Sequence, residues 1–364
     1  MYLSYTWVQQ IMKDQQLIYV TDEEPGFRRK RWGKGFRYFA PGGEAIKTDE
    51  VPQRIEKLVI PPMWKEVWIC KSPHGHLQAT GRDEKGRKQY IYHELWQERQ
   101  SRKKFDRLIE FASVLPTVRE RLALDLKKSG WPKEKVLALV VSLLDETYVR
   151  IGNQEYAKQN STYGLTTLRR RHLKEEGKQV MLTYRAKHGI QQRIPIESKR
   201  LRRLVRACSE LPGYELFKYY PNGTSQAGEP IDSADVNQYL KELCEEEFTS
   251  KTFRTWGASV TAIAEFENAC QQVEENPKKN LDTTLVRRVA SRLGNTVAVC
   301  RSHYIHPCIL ECVEDGYLKR SISRFKTVDR GPFGLRPEEQ ITLKLLKRQR
   351  DEMPEIQIKN KKSA

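Results

Sequence analysis

The stretch VLALVVSLLDETYVRIGNQEYA (residues 136–157) contains the clearest helical pattern in the chain. Its apolar side chains recur at intervals of three and four residues and so share one face of a helix: Leu137, Val140, Val141, Leu144, Tyr148 and Ile151. Gly152 and Asn153 follow as a signal for the end of a helix. The pattern predicts a helix that packs on a core and ends beside a basic residue, Arg150.

Similar helical patterns dominate the chain after about residue 98. They occur at residues 198–211, 233–244, 249–268 and 281–295. A further short helix is expected from Pro307 to Tyr317. Between these helices, residues 166–196 contain alternating apolar residues and glycines, which predict two or three antiparallel strands with Lys187 beside a turn.

The first hundred residues differ from the rest in composition. From Phe27 to His93 they are rich in Gly, Pro and aromatic residues. Short alternating stretches typical of strands occur in VWICK (67–71), HLQAT (76–80) and KQYIYH (88–93). The turn residues from Asp83 to Gly86 lie between the last two stretches, so residues 76–93 are predicted to form a β-hairpin.

These patterns predict an α+β protein with three parts. Residues 1–98 form a small β-rich domain, residues 99–324 a larger, mainly α-helical domain, and residues 325–364 a polar, basic tail. Within the tail, ITLKLLKRQRDEM has some helical character.

Charge points to the class of partner. The chain has 65 Lys and Arg against 47 Asp and Glu, a formal net charge of +18, and nucleic acid is the commonest polyanionic partner of such a protein. No run of about 18 apolar residues or signal-peptide pattern is found, so a soluble, cytoplasmic protein is expected. The seven cysteines include no CxxC, so neither a disulfide framework nor a metal site is expected.

Several residues outside the apolar pattern could take part in chemistry together. Alone, each Arg or Lys is typical of a surface charge, and the tyrosine of VCRSHYIHP (299–307) suits a half-buried helix position. Together they match the needs of a tyrosine that attacks a phosphodiester. Two arginines can bind the non-bridging oxygens, a lysine can protonate the leaving oxygen, and an amide can add one hydrogen bond. The sequence has no GxxxxGK[ST] phosphate loop.

Four stretches, in this order, resemble the type IB DNA topoisomerases in their short bacterial and poxvirus-like form. They are HLQATGRDEKGRKQYIYH (76–93), LLDETYVRIGNQEYAKQNSTYGLTTLR (143–169), KTFRTWGASVTA (251–262) and LGNTVAVCRSHYIHP (293–307). The resemblance covers most of residues 20–318 and leaves the tail outside. It implies the fold shared by these enzymes and the tyrosine recombinases, with two domains that form a clamp around duplex DNA.

The resemblance also implies a role for each site residue. Tyr304 is the nucleophile, Arg150 and Arg254 bind the scissile phosphate, Lys187 is the general acid, and Asn295 donates a hydrogen bond to the phosphate. Asn295 could equally be part of a helix C-cap, and both roles are compatible. Family members often have Gly before the lysine, whereas this chain has Ala186.

Residues outside this catalytic set are expected to contact DNA. In the hairpin, the resemblance assigns this role to Gln89, Tyr90 and Tyr92. Tyr90 and Tyr92 share one face of a strand, so they could instead form a packed aromatic pair within the small domain. Lys251, three residues before Arg254, is also expected to contact DNA.

The resemblance implies a monomeric, nucleoid-associated enzyme that relaxes supercoiled double-stranded DNA. It cleaves one strand through a 3′-phosphotyrosyl intermediate, allows strand rotation and reseals the strand, without ATP, a cofactor or a required metal. A tyrosine recombinase is one alternative, although such enzymes usually have His-x-x-Arg where this chain has Lys251-Thr-Phe-Arg254. A DNA-binding protein that keeps the scaffold without the chemistry is the other.

Overall fold

The computed structural model describes residues 17–47, 53–221 and 228–352. Contacts between Cα atoms divide the chain into two compact units, Met1–Lys104 and Phe105–Ala364. The division lies inside a long helix, Glu94–Asp125, a few residues after the predicted boundary at residue 98. Among the described residues, no helix has the length and apolar character needed to cross a membrane.

The first unit is built on an antiparallel five-stranded sheet. Its elements before the long helix are β1 (Phe27–Trp32), β2 (Gly35–Phe39), α1 (Gln53–Lys57), β3 (Lys65–Ile69), β4 (Leu77–Arg82) and β5 (Lys88–Tyr92). The strand order is β2-β1-β3-β4-β5. The predicted hairpin is confirmed, because β4 pairs with β5 and Thr80 lies opposite Tyr90. Val67, Ile69 and Ala79 form part of a small core beneath the sheet.

The second unit is mainly helical. Its helices are the part of the long α2 (Glu94–Asp125) that follows Lys104, and α3 (Lys133–Thr147), α4 (Gln154–Asn160), α5 (Lys199–Glu210), α6 (Ser233–Cys244), α7 (Ser250–Ala264), α8 (Phe266–Glu275), α9 (Leu281–Leu293), α10 (Val297–His303), α11 (Pro307–Glu314), α12 (Tyr317–Ser321) and α13 (Pro337–Glu352). The helices predicted from periodicity are confirmed, except that the segment 249–268 is divided between α7 and α8. A continuous apolar core lies between them.

Short strands interrupt the helices in this unit. A three-stranded antiparallel sheet, β6 (Leu173–Glu176), β7 (Gln179–Arg185) and β8 (Gln191–Pro195), confirms the strands predicted for residues 166–196. A single turn of 3-10 helix, Lys187–Gly189, connects β7 to β8. A two-residue pair, β9 (Lys218–Tyr219) and β10 (Glu229–Pro230), completes the strands.

Residues 136–157 contain the predicted helix, but it ends earlier than predicted. Helix α3 stops at Thr147, and Tyr148 follows in the left-handed conformation at φ +55°. Gly152 and Asn153 do not end this helix. Gly152 has φ +106°, and the Asn153 side chain accepts a hydrogen bond from Tyr156 N as the N-cap of α4. The prediction was wrong because Tyr148 is buried although it lies outside the helix. The apolar pattern therefore continues past the end of the helix.

The predicted tail also differs from expectation. Helix α13 contacts α7 and α11, and Leu335, Leu345 and Leu346 are buried in the main core. The helical character expected in ITLKLLKRQRDEM is confirmed, but this part of the chain belongs to the second unit and is not a separate tail. The prediction failed because most of the segment is polar and its buried charges are paired, which composition alone does not reveal. Residues 353–364 lie outside the described residues.

Candidate active site

Arg150 is held in an extended segment between α3 and α4. Its carbonyl accepts a hydrogen bond from Leu165 N (2.9 Å), and Ile151 O accepts one from Thr166 N (2.7 Å). The backbone of Gly152 lies close to the backbone at Gly164, because a Cβ added to Gly164 would lie 2.5 Å from the Gly152 nitrogen. These contacts fix the backbone from which the half-buried Arg150 side chain extends.

Arg254 approaches from the second turn of α7 and is 4% exposed. Its guanidinium donates to the carbonyl of Tyr148 and, at 3.0 Å, to the carbonyl of Leu293. Burial, together with the nearby charge of Arg150, lowers the pKa of Arg254. Two backbone carbonyls from different helix ends thus orient this arginine.

Asn295 connects the two arginines. The preceding Gly294 ends α9 in the left-handed conformation, at φ +62°, and Asn295 N donates to Ala290 O at 2.9 Å, which confirms the expected helix cap. The Asn295 Oδ1 atom accepts from Nη2 of Arg150 and from Nη2 of Arg254, the latter at 3.2 Å. The side chain oxygen therefore holds two like charges close together, and the amide nitrogen is left to donate elsewhere.

Tyr304 follows α10 directly and is 8% exposed. Its hydroxyl lies 3.4 Å from Arg150 Nη1, and the Arg254 guanidinium carbon lies 5.2 Å from the centre of its ring. Burial raises the pKa of Tyr304, but the positive charges of Arg254 and Arg150 lower it by more, so the pKa is below its ordinary value. The surroundings thus favour the phenolate, which is the nucleophilic form.

Three buried donors in this cluster have no hydrogen-bond partner in the described part of the chain. They are Arg150 Nε, Arg254 Nε and Asn295 Nδ2. Buried donors are normally paired, and guanidinium groups match the geometry of phosphate oxygens. The cluster of Arg150, Arg254, Asn295 and Tyr304, called the arginine–tyrosine site below, is therefore suited to bind a phosphate group beside the phenol.

Lys187 is not brought into contact with this site. It lies exposed in the turn between β7 and β8, and no hydrogen bond joins it to the other four predicted residues within the described ranges. The turn is closed by hydrogen bonds from Ala186 N to Ile190 O (2.8 Å) and from Gly189 N to Ala186 O (3.0 Å). Ala186 is thus accommodated in the loop, and the role of Lys187 stays a prediction.

The hairpin residues predicted to contact DNA lie on β5 in the first unit. The rings of Tyr90 and Tyr92 stack, with centres 5.9 Å apart, and Tyr90 remains 48% exposed. Gln89 donates from Nε2 to Asp83 at 2.9 Å. The pair is therefore packed and also partly open to solvent, so both readings of the sequence are compatible with the structure.

Lys251 lies in the first turn of α7 and is exposed, whereas Arg254 one turn later is buried. The two basic residues of the KTFR motif therefore face different surroundings. Arg254 points into the arginine–tyrosine site and Lys251 into solvent.

The structure adds residues that the sequence did not single out. Tyr148 supplies its carbonyl to Arg254, and its ring packs on Gly257, where a Cβ would lie 2.2 Å from the ring. Tyr184 on β7 is buried, which raises its pKa to about 12, and it lies near enough to Arg254 and Arg150 for their charges to oppose that rise. Both tyrosines belong to apolar periodic patterns, so only the position of Tyr184 three residues before Lys187 could have indicated its place.

No group of three or more His, Cys, Asp or Glu side chains that could hold a metal ion is found in residues 17–47, 53–221 and 228–352.

Two family models match the chain. One, described as the catalytic core of eukaryotic DNA topoisomerase I, matches residues 93–324. The other, described as the N-terminal domain of bacterial DNA topoisomerase IB, matches residues 35–83. The first match includes all four residues of the arginine–tyrosine site and Lys187.

Similar proteins are found in viruses. The chain is 29% identical over 297 residues to DNA topoisomerase 1B of Acanthamoeba polyphaga mimivirus, covering 79% of this chain and 87% of the relative. It is 22% identical over 277 residues to DNA topoisomerase I of Monkeypox virus, covering 76% and 83%. A solved structure of a XerH site-specific recombinase bound to difH is 13% identical and covers 65% of this chain and 59% of the recombinase. Its TM-score of 0.32 is too low to support a conclusion. The family match spans more than half of the chain, and the chain belongs to the type IB DNA topoisomerases.

Proposed function

We propose that Tyr304 is the nucleophile with which this type IB topoisomerase cleaves one strand of duplex DNA. The observation that carries the proposal is the contact of its phenol with Arg150, beside the ring contact with Arg254. In the reaction the phenolate oxygen forms a bond to phosphorus, and the bond from phosphorus to the 5′-oxygen breaks. The products are a 3′-phosphotyrosyl protein and a strand with a free 5′-hydroxyl.

Arg150, Arg254 and Asn295 are proposed to bind the phosphate during this step. Attack places additional negative charge on the two non-bridging oxygens, and the unpartnered N–H donors of these residues can pair with them. The two guanidinium groups lie close together on one amide oxygen, so their mutual repulsion is relieved most when an anion lies between them. Asn295 then has two roles, because Oδ1 aligns the arginines and Nδ2 donates to phosphate.

Lys187 is proposed to protonate the departing 5′-oxygen. Its place in the family motif supports this role. Lys187 lies in an exposed turn and makes no hydrogen bond to the site within the described residues. The turn belongs to the same β-hairpin as Tyr184, which is buried near Arg150 and Arg254. A DNA strand bound at the arginines would therefore lie near Lys187 as well. Religation is the reverse: the 5′-hydroxyl returns its proton to Lys187 as it attacks phosphorus and releases Tyr304.

DNA is the partner, and the remaining proposals concern how it is used. Exposed Lys251, and Gln89, Tyr90 and Tyr92 in the first unit, are proposed to contact the duplex. Between cleavage and religation the DNA beyond the break rotates, which removes supercoils while the phosphotyrosyl bond conserves the energy of the phosphodiester. We further propose that the protein acts as a monomer on nucleoid DNA. The conserved bond energy makes ATP unnecessary, and the arginine charges stabilise the phosphate oxygens without a metal ion.

One experiment tests this function. Supercoiled plasmid without a special site is incubated with the wild type or Tyr304→Phe, in EDTA and without ATP, and the reaction is stopped with detergent. The wild type is expected to relax the plasmid and to yield a covalent complex, while Tyr304→Phe does neither. Equal relaxation by Tyr304→Phe, or relaxation that strictly needs Mg²⁺, would contradict the proposal. Binding without any adduct would favour a purely DNA-binding role.

A further inference from the structure

The C-terminal helix of the second unit lies beyond the residues that match the family model. The catalytic-core match ends at residue 324, whereas α13 begins at Pro337 and packs on α7, the helix that carries Arg254. The buried residues of this segment include charged ones, and Glu339 is fully buried. A buried charge is costly unless it is paired, so its partners indicate what the segment does.

Four charged side chains form a closed cluster at this point. Arg119 of α2 donates to both oxygens of Asp145 (2.9 Å each), to both oxygens of Glu339 (2.7 and 3.1 Å) and to Gly334 O (2.8 Å). These contacts use all five N–H donors of a guanidinium group. Arg336 donates from Nη2 to Asp145 (2.9 Å) and from its backbone N to Glu339 (2.7 Å). This set of Arg119, Asp145, Arg336 and Glu339 is called the four-charge cluster below.

The four charges of the cluster cancel. Burial works against the charged forms of Arg119 and Asp145, yet their pairing raises the pKa of Arg119 and lowers the pKa of Asp145. Buried ion pairs are weak evidence of added stability, because desolvation offsets much of the attraction, but they restrict how helices can be placed. The cluster fixes the positions of α2, α3 and α13 relative to one another.

Two short paths lead from this cluster to the arginine–tyrosine site. Asp145 lies in the last turn of α3, and the next residues are the turn at Tyr148, whose carbonyl receives Arg254, and then Arg150. Glu339 also accepts a hydrogen bond from Trp256 Nε1 at 3.4 Å, and Trp256 lies on α7 two residues after Arg254. The cluster thus contacts α3, which precedes Arg150, and α7, which carries Arg254. It does not contact Tyr304.

We propose that Arg336 and Glu339 are positioning residues for DNA cleavage: through Asp145 and Trp256, they hold Arg150 and Arg254 in place at Tyr304. The inference rests on the proposed function of these three residues. Displacing catalytic groups by about 1 Å can cost roughly a hundredfold in rate, so a change in the cluster is expected to act on the chemical step. Arg336 and Glu339 make no contact with the phenol, and they are not themselves catalytic.

The test compares full-length variants in single-turnover cleavage at saturating protein. Arg336→Ala removes one charge whose side chain is 42% exposed, Arg336→Lys keeps that charge, and Glu339→Gln removes the buried acid with little change of shape. Lys347→Ala is the matched control, because it removes one exposed positive charge from α13, the helix that carries Glu339 and directly follows Arg336. DNA affinity is measured separately for each variant combined with Tyr304→Phe, and folding is followed by thermal unfolding.

Arg336→Ala is expected to slow formation of the covalent adduct by about tenfold or more, with unchanged DNA affinity in the Tyr304→Phe background. Arg336→Lys should restore most of the rate, and Lys347→Ala should match the wild type. Should Glu339→Gln fail to fold, the two Arg336 variants decide the question. A purely structural role would lower the melting temperature without this split between rate and affinity or this rescue.

The inference is overturned if Arg336→Ala cleaves at the wild-type rate, if its rate falls only in step with DNA affinity, or if Arg336→Lys gives no rescue. Failure of the proposed function looks different, because the wild type itself then forms no adduct at Tyr304. A wild type that forms the adduct beside unaffected cluster variants contradicts this inference alone.

Discussion

The reactivity of Tyr304 depends on the residues around its phenol. The hydroxyl contacts Arg150, the ring lies under Arg254, and the buried phenol of Tyr184 lies close to both arginines. An arginine side chain stays charged across the ordinary pH range, whereas a tyrosine changes its charge when it loses its proton. The balance between burial and two positive charges therefore sets the pH at which the Tyr304 phenolate, the proposed nucleophile, forms.

The first prediction concerns that pH. Because the pKa of Tyr304 is lowered, the rate of adduct formation should rise with pH through a midpoint below about pH 10, the ordinary pKa of tyrosine. Arg150→Ala removes one of the charges that lower it, so the midpoint should move to higher pH and the rate should fall by about 10²-fold or more. Single-turnover cleavage across a pH series measures both, with Lys347→Ala as the control. An unchanged midpoint in Arg150→Ala would show that the arginine does not act on the phenol.

The second prediction concerns Lys187. Replacing it by Ala should slow cleavage of ordinary DNA strongly, but much less when the 5′-leaving oxygen is replaced by sulfur, which needs little protonation. The ratio of the two rates, measured in single turnover for the wild type and Lys187→Ala, isolates the proton transfer from binding. If sulfur gives no rescue, another group protonates the leaving oxygen.

At the scale of elements, the arginine–tyrosine site is assembled from helix ends. Arg150 follows α3, Asn295 follows α9, Tyr304 follows α10, and only Arg254 lies within a helix. The contact between α7 and the end of α3 is close because Gly257 has no side chain and the Tyr148 ring lies against it. This contact places the Tyr148 carbonyl where Arg254 can reach it.

The third prediction tests that contact. In Gly257→Ala the new Cβ would lie 2.2 Å from the buried Tyr148 ring, so the ring or α7 must shift. The expected cost is about 1–3 kcal/mol of unfolding free energy, as for other overpacked cores, together with slower adduct formation. Gly35→Ala is the control, because nothing lies within 4 Å of its added Cβ. Denaturant unfolding and single-turnover cleavage check the two effects, and wild-type values for both would mean that the close contact is unimportant.

Periodicity predicted most elements because one apolar face of each helix packs on the common core. It failed where a residue is buried for another reason. The end of α3 was placed too late because Tyr148, which lies beyond the helix, is buried against α7 at Gly257. Helix α13 was assigned to a basic tail because Glu339 and Arg336 look like solvated charges in a sequence, while their partners, Arg119 and Asp145, lie far away along the chain.

The same reasoning applies to the site. The resemblance assigned Arg150, Arg254, Asn295 and Tyr304, and the structure brings these four together. It could not indicate that Asn295 accepts from both arginines, because this depends on the turn at Gly294. The distance between Lys187 and the other residues depends on a hairpin turn whose geometry no local pattern specifies.

At the scale of the whole molecule, charge is the property that bears most directly on DNA. The formal net charge is +18, yet buried basic residues such as Arg119 and Arg254 are engaged inside the protein and differ in kind from exposed cations such as Lys251. Exposed cations release counterions when they meet phosphates, so they control affinity and its dependence on salt. In the proposed mechanism, the buried Arg254 acts on the chemical step instead.

The fourth prediction follows from that distinction. A plot of log affinity against log salt should be linear and steep for the wild type and for Tyr304→Phe, because the tyrosine supplies no positive charge that pairs with a phosphate. Lys251→Ala should reduce the magnitude of the slope by about one phosphate contact and weaken binding similarly on different sequences. Fluorescence anisotropy with duplex DNA over a salt series measures this. A slope equal to that of the wild type would mean that Lys251 contacts no phosphate.

The most direct test of the account is to identify the protein atom that becomes joined to DNA. A duplex that releases its short 5′-hydroxyl fragment after cleavage traps the adduct, which is digested with trypsin and sequenced by mass spectrometry. The account predicts the modification on Tyr304 in the peptide Ser302–Lys319, and not on Tyr317 of the same peptide. It also predicts that label at the 5′ end of the cleaved strand stays with the protein. An adduct on another residue, or one that retains label from the 3′ end, would contradict it.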